Sequence, residues 1–298
     1  MQHMTDHSKK NQRLGWINGL IGVILFSGSM PATKLAVMDM SPSFVTVTRA
    51  GLAGILALMA LLLFKEKRPT KAQLPSLFIV AISAVIAFPL LSALALAYIS
   101  SAHSLIFVGL LPLSTAVFAV LRGSERPQPL FWLFSVFGAG LVMAFAFSKG
   151  ESTSLVGDGL MLLSIIFCGL GYAEGAKLSV QLGGWQVISW ALVIALPIML
   201  PLIIYLLPNN LEQVSLKAWI GLGYIAVFSM LVGFIFWYKG LAQGGIAAVG
   251  QLQLLQPFLG LVLAASILHE EISIWLICTM FAVILCVAGS KRYAHQKA

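Results

Sequence analysis

Four ionisable side chains lie within, or at the very end of, segments of the chain that are otherwise almost entirely apolar. They are Lys34, Arg49, Glu174 and Lys177. The two lysines stand in matching contexts, "ATKLAV" at 32–37 and "GAKLSV" at 175–180. An isolated charge in an apolar medium costs about 2.5–3.5 kcal/mol on insertion scales. The chemistry open to these side chains is ion pairing, proton transfer or the binding of a charged ligand.

Glu174 is the acidic residue placed well inside such a segment, in "GLGYAEGAKLSV". Gly171 and Gly175 form a G-x-x-x-G pattern around it, which permits close approach of another helix. One interpretation pairs Glu174 with Lys177, one helical turn away, as a structural ion pair. The other makes Glu174 a proton site or the counter-charge of a substrate ammonium, and the sequence leaves both open.

The three cationic residues also have two interpretations each. Arg49 remains protonated, so it must face a partner, a cavity or an interface. In a cavity it could hold a substrate carboxylate in bidentate fashion, and otherwise it binds backbone carbonyls or reaches an interface. Lys34 and Lys177 can extend to an interface along their apolar stems, or they can act in gating or as a charge pair.

Three glutamines crowd one short stretch, "GQLQLLQP" at 250–257. On a helix Gln253 and Gln256 share a face and Gln251 lies off it. Unpaired buried amides are unfavourable, so contact with a substrate or bonding between helices is expected. Pro257 breaks the hydrogen-bond ladder of this helix, and Pro112 does the same in an equivalent stretch.

Aromatic residues near these segments are further binding candidates. Tyr98 and His103 flank one connection, Tyr172 precedes Glu174, and Trp237 lies near the end of an apolar run. Their rings could bind a cation, whereas packing or a place at the membrane interface is the simpler account.

The composition identifies the surroundings of all these residues. Of the 298 residues 59% are hydrophobic and 9% are charged, and the mean hydropathy is +0.97. Soluble proteins carry about 25% charged residues, so this is a polytopic, all-α integral membrane protein. No metal-ligand spacing or phosphate loop occurs, and "HEEIS" lacks the second histidine of a zinc motif, so neither a cofactor nor an enzyme is predicted.

The hydropathy predicts ten transmembrane helices, because each apolar run is long enough to cross a bilayer. Their approximate bounds are 14–37, 42–64, 74–98, 102–121, 130–147, 157–180, 186–207, 215–238, 247–267 and 273–290. With the amino terminus inside, fourteen of the 18 lysines and arginines lie at inner ends and two at outer ends. This asymmetry predicts a bacterial inner membrane protein with both termini cytoplasmic, and it accounts for the net charge of +8 without nucleic acid as a partner.

The chain also repeats itself. "LAYISSAHSLIFVGLLP" (96–112) aligns with "LAQGGIAAVGQLQLLQP" (241–257), and the two proline contexts coincide. We therefore expect two five-helix repeats, 14–148 and 152–292, between cytoplasmic tails at 1–13 and 293–298. Because five is odd, the second repeat enters the membrane from the opposite side. Such inverted repeats are typical of secondary transporters.

The stretch "GLAQGGIAAVGQLQLLQPFLGLVLAASILHEEIS" (240–273), with a weaker partner at 95–126, resembles EamA-type transporters of the drug/metabolite transporter superfamily. The resemblance implies a ten-helix fold with a central cavity lined mainly by helices 1, 3, 4, 6, 8 and 9, and movement of metabolites such as amino acids, often outward. One departure is Gln256, where many relatives have a titratable glutamate before the proline.

These observations predict a secondary transporter that exports a small polar metabolite, an amino acid or a related compound, by alternating access. The alternatives are an importer of a cationic or quaternary-ammonium compound and an intramembrane enzyme acting on a lipid. The expected partners are a small-molecule substrate and membrane lipid, and nothing in the sequence indicates an oligomeric state.

Overall fold

The structure is a computed structural model that describes residues 2–99, 104, 107–147, 154–208, 210–268 and 274–294. Regular structure within these ranges is entirely helical. The α-helices are α1 Gln2–Ser27, α2 Ser29–Asp39, α3 Pro42–Leu63, α4 Leu74–Val80, α5 Phe88–Tyr98, α6 Leu111–Gly123, α7 Pro129–Phe147, α8 Leu155–Leu182, α9 Gly184–Tyr205, α10 Leu216–Tyr224, α11 Gly233–Gly244, α12 Ile246–Gly250, α13 Gln256–Leu268 and α14 Ile274–Tyr293.

Six helical segments of the described chain are long and apolar enough to cross a membrane. They are Lys10–Asp39, Pro42–Leu63, Leu74–Tyr98, Leu155–Leu182, Gly184–Tyr205 and Leu216–Gly244, and shorter apolar helices occupy Leu111–Gly123 and Pro129–Ala144. In lipid a backbone amide or carbonyl has no water to bond, so a segment this apolar must satisfy its polar groups within its own helix. The protein is thus an integral membrane protein, and these six segments fall where the hydropathy places spans one to three and six to eight.

Local sequence signals set where several spans begin. Ser41, Ser154 and Ser215 each accept a hydrogen bond through Oγ from the amide three residues on, at 3.2, 3.3 and 3.2 Å. Each serine thereby satisfies one of the free amides of a helix start. Glycines with positive φ, Gly183 at 94° and Gly245 at 92°, make the tight reversals from α8 to α9 and from α11 to α12.

Three spans depart from regular α-helix. A π-helical segment, Ala81–Ala87, joins α4 to α5, and another, Ile225–Val232, joins α10 to α11. They begin 144 residues apart, close to the spacing of the two aligned stretches. A 3₁₀ segment, Gln251–Leu255, separates α12 from α13. Departures of this kind are frequent at functional sites.

Glycines allow the spans to pack with their backbones in close proximity. A Cβ on Gly240 would lie 2.6 Å from the amide nitrogen of Gly19, and a Cβ on Gly15 would lie 2.5 Å from that of Gly244, so α1 and α11 touch backbone to backbone. Likewise α8 packs against α5, α6 and the first π segment, and α3 packs along α9. Each of these pairs joins the amino-terminal half, up to residue 147, to the carboxyl-terminal half, from residue 154. Small residues at such crossings are what membrane helix association requires.

Candidate functional site

The Arg49 side chain lies in the interior of the bundle, where the two halves meet. It is 4% exposed, and its Nη2 donates to Ser229 Oγ at 3.2 Å. Ser229 belongs to the second π segment, and its Oγ also accepts from Ser29 Oγ at 2.7 Å. The Nε of Arg49 has no hydrogen-bond partner among the described residues. A permanently charged group thus lies in the protein interior with part of its donor capacity unused.

The glutamines of the 3₁₀ segment and the start of α13 lie equally deep. Gln251 and Gln253 are fully buried, and Gln256 is 5% exposed. Gln256 Nε2 donates to the carbonyl of Phe26 at 3.3 Å. Its Oε1, and all amide atoms of Gln251 and Gln253, lack a hydrogen-bond partner within the described part of the chain. Each unsatisfied buried amide atom costs about 1–3 kcal/mol, so a polar ligand or water that reached these amides would be stabilised by them.

An aromatic cluster lies close to both the arginine and the glutamines. The Tyr172 ring lies 5.3 Å from that of Trp237 and 6.4 Å from that of Phe26, measured between centroids. Tyr172 lies near both Arg49 and Gln253. We call Arg49, Tyr172, Trp237, Gln253 and Gln256 the central polar cluster.

Trp237 itself is fully buried, and its Nε1 has no described partner. The indole therefore packs inside the bundle, as the packing interpretation of Trp237 predicts. The span continues for two further turns to Gly244 and carries the indole into the interior.

The two prolines lie at helix starts rather than inside continuous helices. Pro112 and Pro257 each occupy the second position of their helix, α6 and α13. At this position the missing amide of proline would have no helical partner. The backbone bends before each proline: Leu110 donates to Phe107 at 2.8 Å before α6, and the 3₁₀ segment precedes α13. The polar amides of Gln251 and Gln253 therefore lie on this irregular segment.

Glu174 forms a buried ion pair, but not with the partner expected. Its Oε2 accepts from Arg122 Nε at 2.8 Å, and its Oε1 accepts from Ser76 Oγ at 2.5 Å. The Glu174 side chain is 1% exposed and that of Arg122 is 42% exposed. The pair with Lys177, one of the two interpretations drawn from the sequence, does not form, and Lys177 lies exposed on a cleft of about 320 Å³ beside Gly245.

A second carboxylate near this pair also joins the two halves. Glu125 accepts from the amides of Ile246 and Ala247 at 2.6 and 2.8 Å, so it caps α12. Gln243, three residues before Ile246, accepts from Asn18 in α1 at 2.8 Å. These contacts, together with the pair of Arg122 and Glu174, hold the halves together at the end of the bundle where the first span begins near Lys10. We call them the inner contacts.

The remaining sequence candidates lie apart from the central polar cluster. Lys34 Nζ donates to the carbonyls of Leu96 and Ile99 at 2.7 and 3.3 Å, which satisfies the end of α5. Tyr98 is 57% exposed at the end of the same helix. His103 lies outside the described residues.

Several contributors to the site carry no sequence signal. Ser29, Ser76 and Ser229 are ordinary small residues in apolar runs, and Arg122 and Glu125 stand in a charged connection that predicts only solvated charge. The one sequence feature that bears on the site is the repeat alignment, because the two π segments, one of which contains Ser229, lie at equivalent positions of the two repeats.

Comparison with known proteins assigns the fold to a family. The model of the EamA-like transporter family matches the chain twice, over residues 13–147 and 155–290. "Uncharacterized transporter YdeK" of Bacillus subtilis is 59% identical over 280 residues, covering 94% of this chain and 98% of that protein. "Uncharacterized transporter YyaM" of the same organism is 23% identical over 258 residues, covering 83% and 84%.

A crystal structure with 14% sequence identity aligns with a TM-score of 0.76 over 94% of this chain and 97% of that one. At this identity the likeness concerns the fold alone. The two matches of the family model and the highly identical relative extend over nearly the whole chain and carry the assignment to a membrane transporter. The chain belongs to the EamA-like transporter family of the drug/metabolite transporter superfamily.

Proposed function

We propose that this membrane transporter is a secondary transporter that exports a small polar metabolite, an amino acid or a related compound, across the bacterial inner membrane. Ten spans in two inverted five-helix repeats would alternate access to a site at the central polar cluster, with both termini in the cytoplasm. The observation that carries the proposal is the set of buried, unpartnered polar atoms where the halves meet.

Three features of the described chain support the inverted repeat. The family model matches each half separately. The π segments begin at Ala81 and Ile225, and the proline-led helices begin at Leu111 and Gln256, at nearly equal offsets. The span Lys10–Asp39 packs on Leu216–Gly244, as its counterpart Leu155–Leu182 packs on Leu74–Tyr98. A two-fold axis in the membrane plane would produce this exchange of partners.

The polar groups of the cluster come from both halves, as a site between rocking halves requires. Arg49 is contributed by the second span, Tyr172 by the sixth, Trp237 by the eighth and the glutamines by the ninth predicted span. A polar metabolite entering here would supply the missing hydrogen bonds. Relative motion of the halves would then open the site to one side at a time.

The inner contacts provide a closure on the cytoplasmic side in this scheme. Arg122 and Glu125 belong to the amino-terminal half, and Glu174 and α12 belong to the other. Opening of the site toward the cytoplasm must separate at least one of these pairs. The same pairing weakens the alternative of a cation importer, because the charge of Glu174 is already compensated by Arg122.

Counterflow in proteoliposomes tests the proposal. The purified chain is reconstituted with an unlabelled amino acid inside, and uptake of the same labelled amino acid is measured over a panel. A secondary transporter gives saturable uptake that is accelerated by substrate on the opposite side. Uptake that rises linearly with concentration, and does not respond to the opposite side, would indicate a channel. The lack of any flux across the panel would contradict export of this class.

A further inference from the structure

The charge of Arg49 is the feature of the central polar cluster that a neutral metabolite would not need. Arginine cannot lose its proton in a protein, and its planar fork presents five N–H donors. Among the described residues Arg49 forms no ion pair, and its Nε has no hydrogen-bond partner. A buried arginine that stabilised the fold would be expected to face a carboxylate.

We infer that Arg49 binds the carboxylate group of the transported metabolite, so that the substrates are small carboxylate-bearing compounds. This inference rests on the proposed function and defines its substrate class. A carboxylate fits the arginine fork with two parallel hydrogen bonds, which supplies both the counter-charge and the partner that Nε lacks.

The surroundings of Arg49 agree with a carboxylate ligand and place the rest of the substrate. Ser229 Oγ accepts from both Arg49 and Ser29, so its own hydroxyl proton could go to a carboxylate oxygen, and Ser29 could donate to the carboxylate in place of Ser229. Gln253, which also lies near Tyr172, offers both an amide donor and an amide acceptor. A carboxylate at Arg49 would therefore direct the polar tail of the substrate across the aromatic rings toward the glutamines.

The charge of Arg49 argues against the cationic substrate considered above. A quaternary ammonium in this cluster would face the charge of Arg49, and no carboxylate among the described members of the cluster would offset the repulsion. The aromatic faces of Tyr172 and Trp237 would then serve to pack the substrate and not to hold a cation.

Matched pairs of ligands test the inference on the full-length, reconstituted chain. The probes are amino acids and their carboxamides, which differ only in the charged group, together with choline as a cation without a carboxylate. Inhibition of counterflow and ligand-induced thermal stabilisation are measured for each probe. We expect the acids to compete at least about 100-fold more strongly than the amides, since two charge-assisted hydrogen bonds are lost.

Variants of Arg49 test whether this residue causes the preference for acids over carboxamides. In Arg49→Met the preference for acid over amide should fall to less than about threefold, and Arg49→Lys should keep part of it, because charge remains but the fork does not. The matched control Arg126→Met removes an exposed arginine and should leave the preference unchanged. If Arg49→Met does not fold, Arg49→Lys alone carries the test through the size of its loss.

The outcomes separate this inference from the proposed function. A wild-type chain that transports amides or choline as well as acids, or an Arg49 variant that keeps the full preference, would overturn the carboxylate site and leave secondary transport intact. A wild-type chain that shows no counterflow and no stabilisation with any probe would overturn the proposed function itself.

Discussion

Replacement of Arg122 by methionine should open the end of the bundle that the proposed topology places in the cytoplasm. The substitution leaves the Glu174 carboxylate, 1% exposed, with Ser76 as its remaining described hydrogen-bond partner. Breaking a fully buried ion pair costs about 3–5 kcal/mol, whereas an exposed pair contributes about 0–1 kcal/mol. Because the Arg122 side chain is 42% exposed, we expect the closed arrangement to lose about 1–3 kcal/mol, equivalent to roughly 5–150-fold in the ratio of open to closed molecules.

Cysteine modification measures this shift. Thr115 is buried on α6, seven residues before Arg122, or about 10 Å deeper along the helix. In a chain whose three native cysteines are replaced by alanine, Thr115→Cys is treated with a membrane-impermeant thiol reagent from the cytoplasmic side. Arg122→Met should accelerate modification by about 5–150-fold. A cysteine at the exposed position of Lys239 should react at the same rate in both backgrounds.

The double variant makes the test specific for the ion pair. Glu174→Gln removes the uncompensated charge left by Arg122→Met, so combining the two should return part of the closed population. An unchanged modification rate in Arg122→Met would refute the assignment of this pair to closure. Equal and additive effects of the two substitutions would also refute it, since the pair would then contribute nothing as a pair.

Three further predictions concern stability, each measured as the melting temperature in detergent and, where stated, with flux. A methyl group at Gly175 would lie 2.3 Å from the buried ring of Tyr238, so Gly175→Ala should destabilise by about 1–3 kcal/mol, whereas Gly159→Ala, with open space at its Cβ, should not destabilise. Glu125→Ala should cost about 0.5–2 kcal/mol by uncapping α12, and Glu125→Gln should cost less because one acceptor remains. Lys34→Met should lower the free energy of unfolding by about 1 kcal/mol, because the carbonyl of Leu96 at the end of α5 loses its donor. Substrate affinity should not change; a change would show that Lys34 reaches the site.

The sequence predicts the spans because hydrophobic length is a local property. Each of the six long apolar segments of the described chain begins and ends within a few residues of its predicted bounds, apart from the amino-terminal start at Lys10 and the extension to Gly244. This second difference places Trp237 in the interior. Hydropathy does not register it, because residues 239–244 are, apart from Leu241, polar or small, yet α11 still packs against α1.

Partners could not be predicted where they are distant in sequence. Glu174 and Lys177 are one helical turn apart, which suggests a local pair, but Arg122 is 52 residues away and reaches the carboxylate only because α6 packs along α8. The bond from Lys34 to the end of α5 likewise spans 62 residues. Rules for neighbours along one helix do not describe which helices pack together.

The sequence identifies the candidate residues of the central polar cluster, but it does not predict what surrounds them. Polar groups in apolar runs are rare, so Arg49 and the glutamines are prominent. Gln251 and Gln253 lie on the 3₁₀ segment, and the second π segment brings Ser229 beside Arg49. The composition of these two segments does not predict their departure from regular α-helix.

Replacement of Gln253 by methionine tests the central claim most directly, through stability and flux measured on the same preparation. If the buried amide is kept for substrate, Gln253→Met should raise the melting temperature, because two unpartnered atoms are removed, and should abolish saturable counterflow. Ser215→Ala is the control: Ser215 caps α10 by accepting from the amide of Ala218, outside the central polar cluster and the inner contacts, so its loss should lower the melting temperature and leave substrate affinity unchanged. A Gln253→Met variant that is less stable and still transports with wild-type affinity would contradict the account.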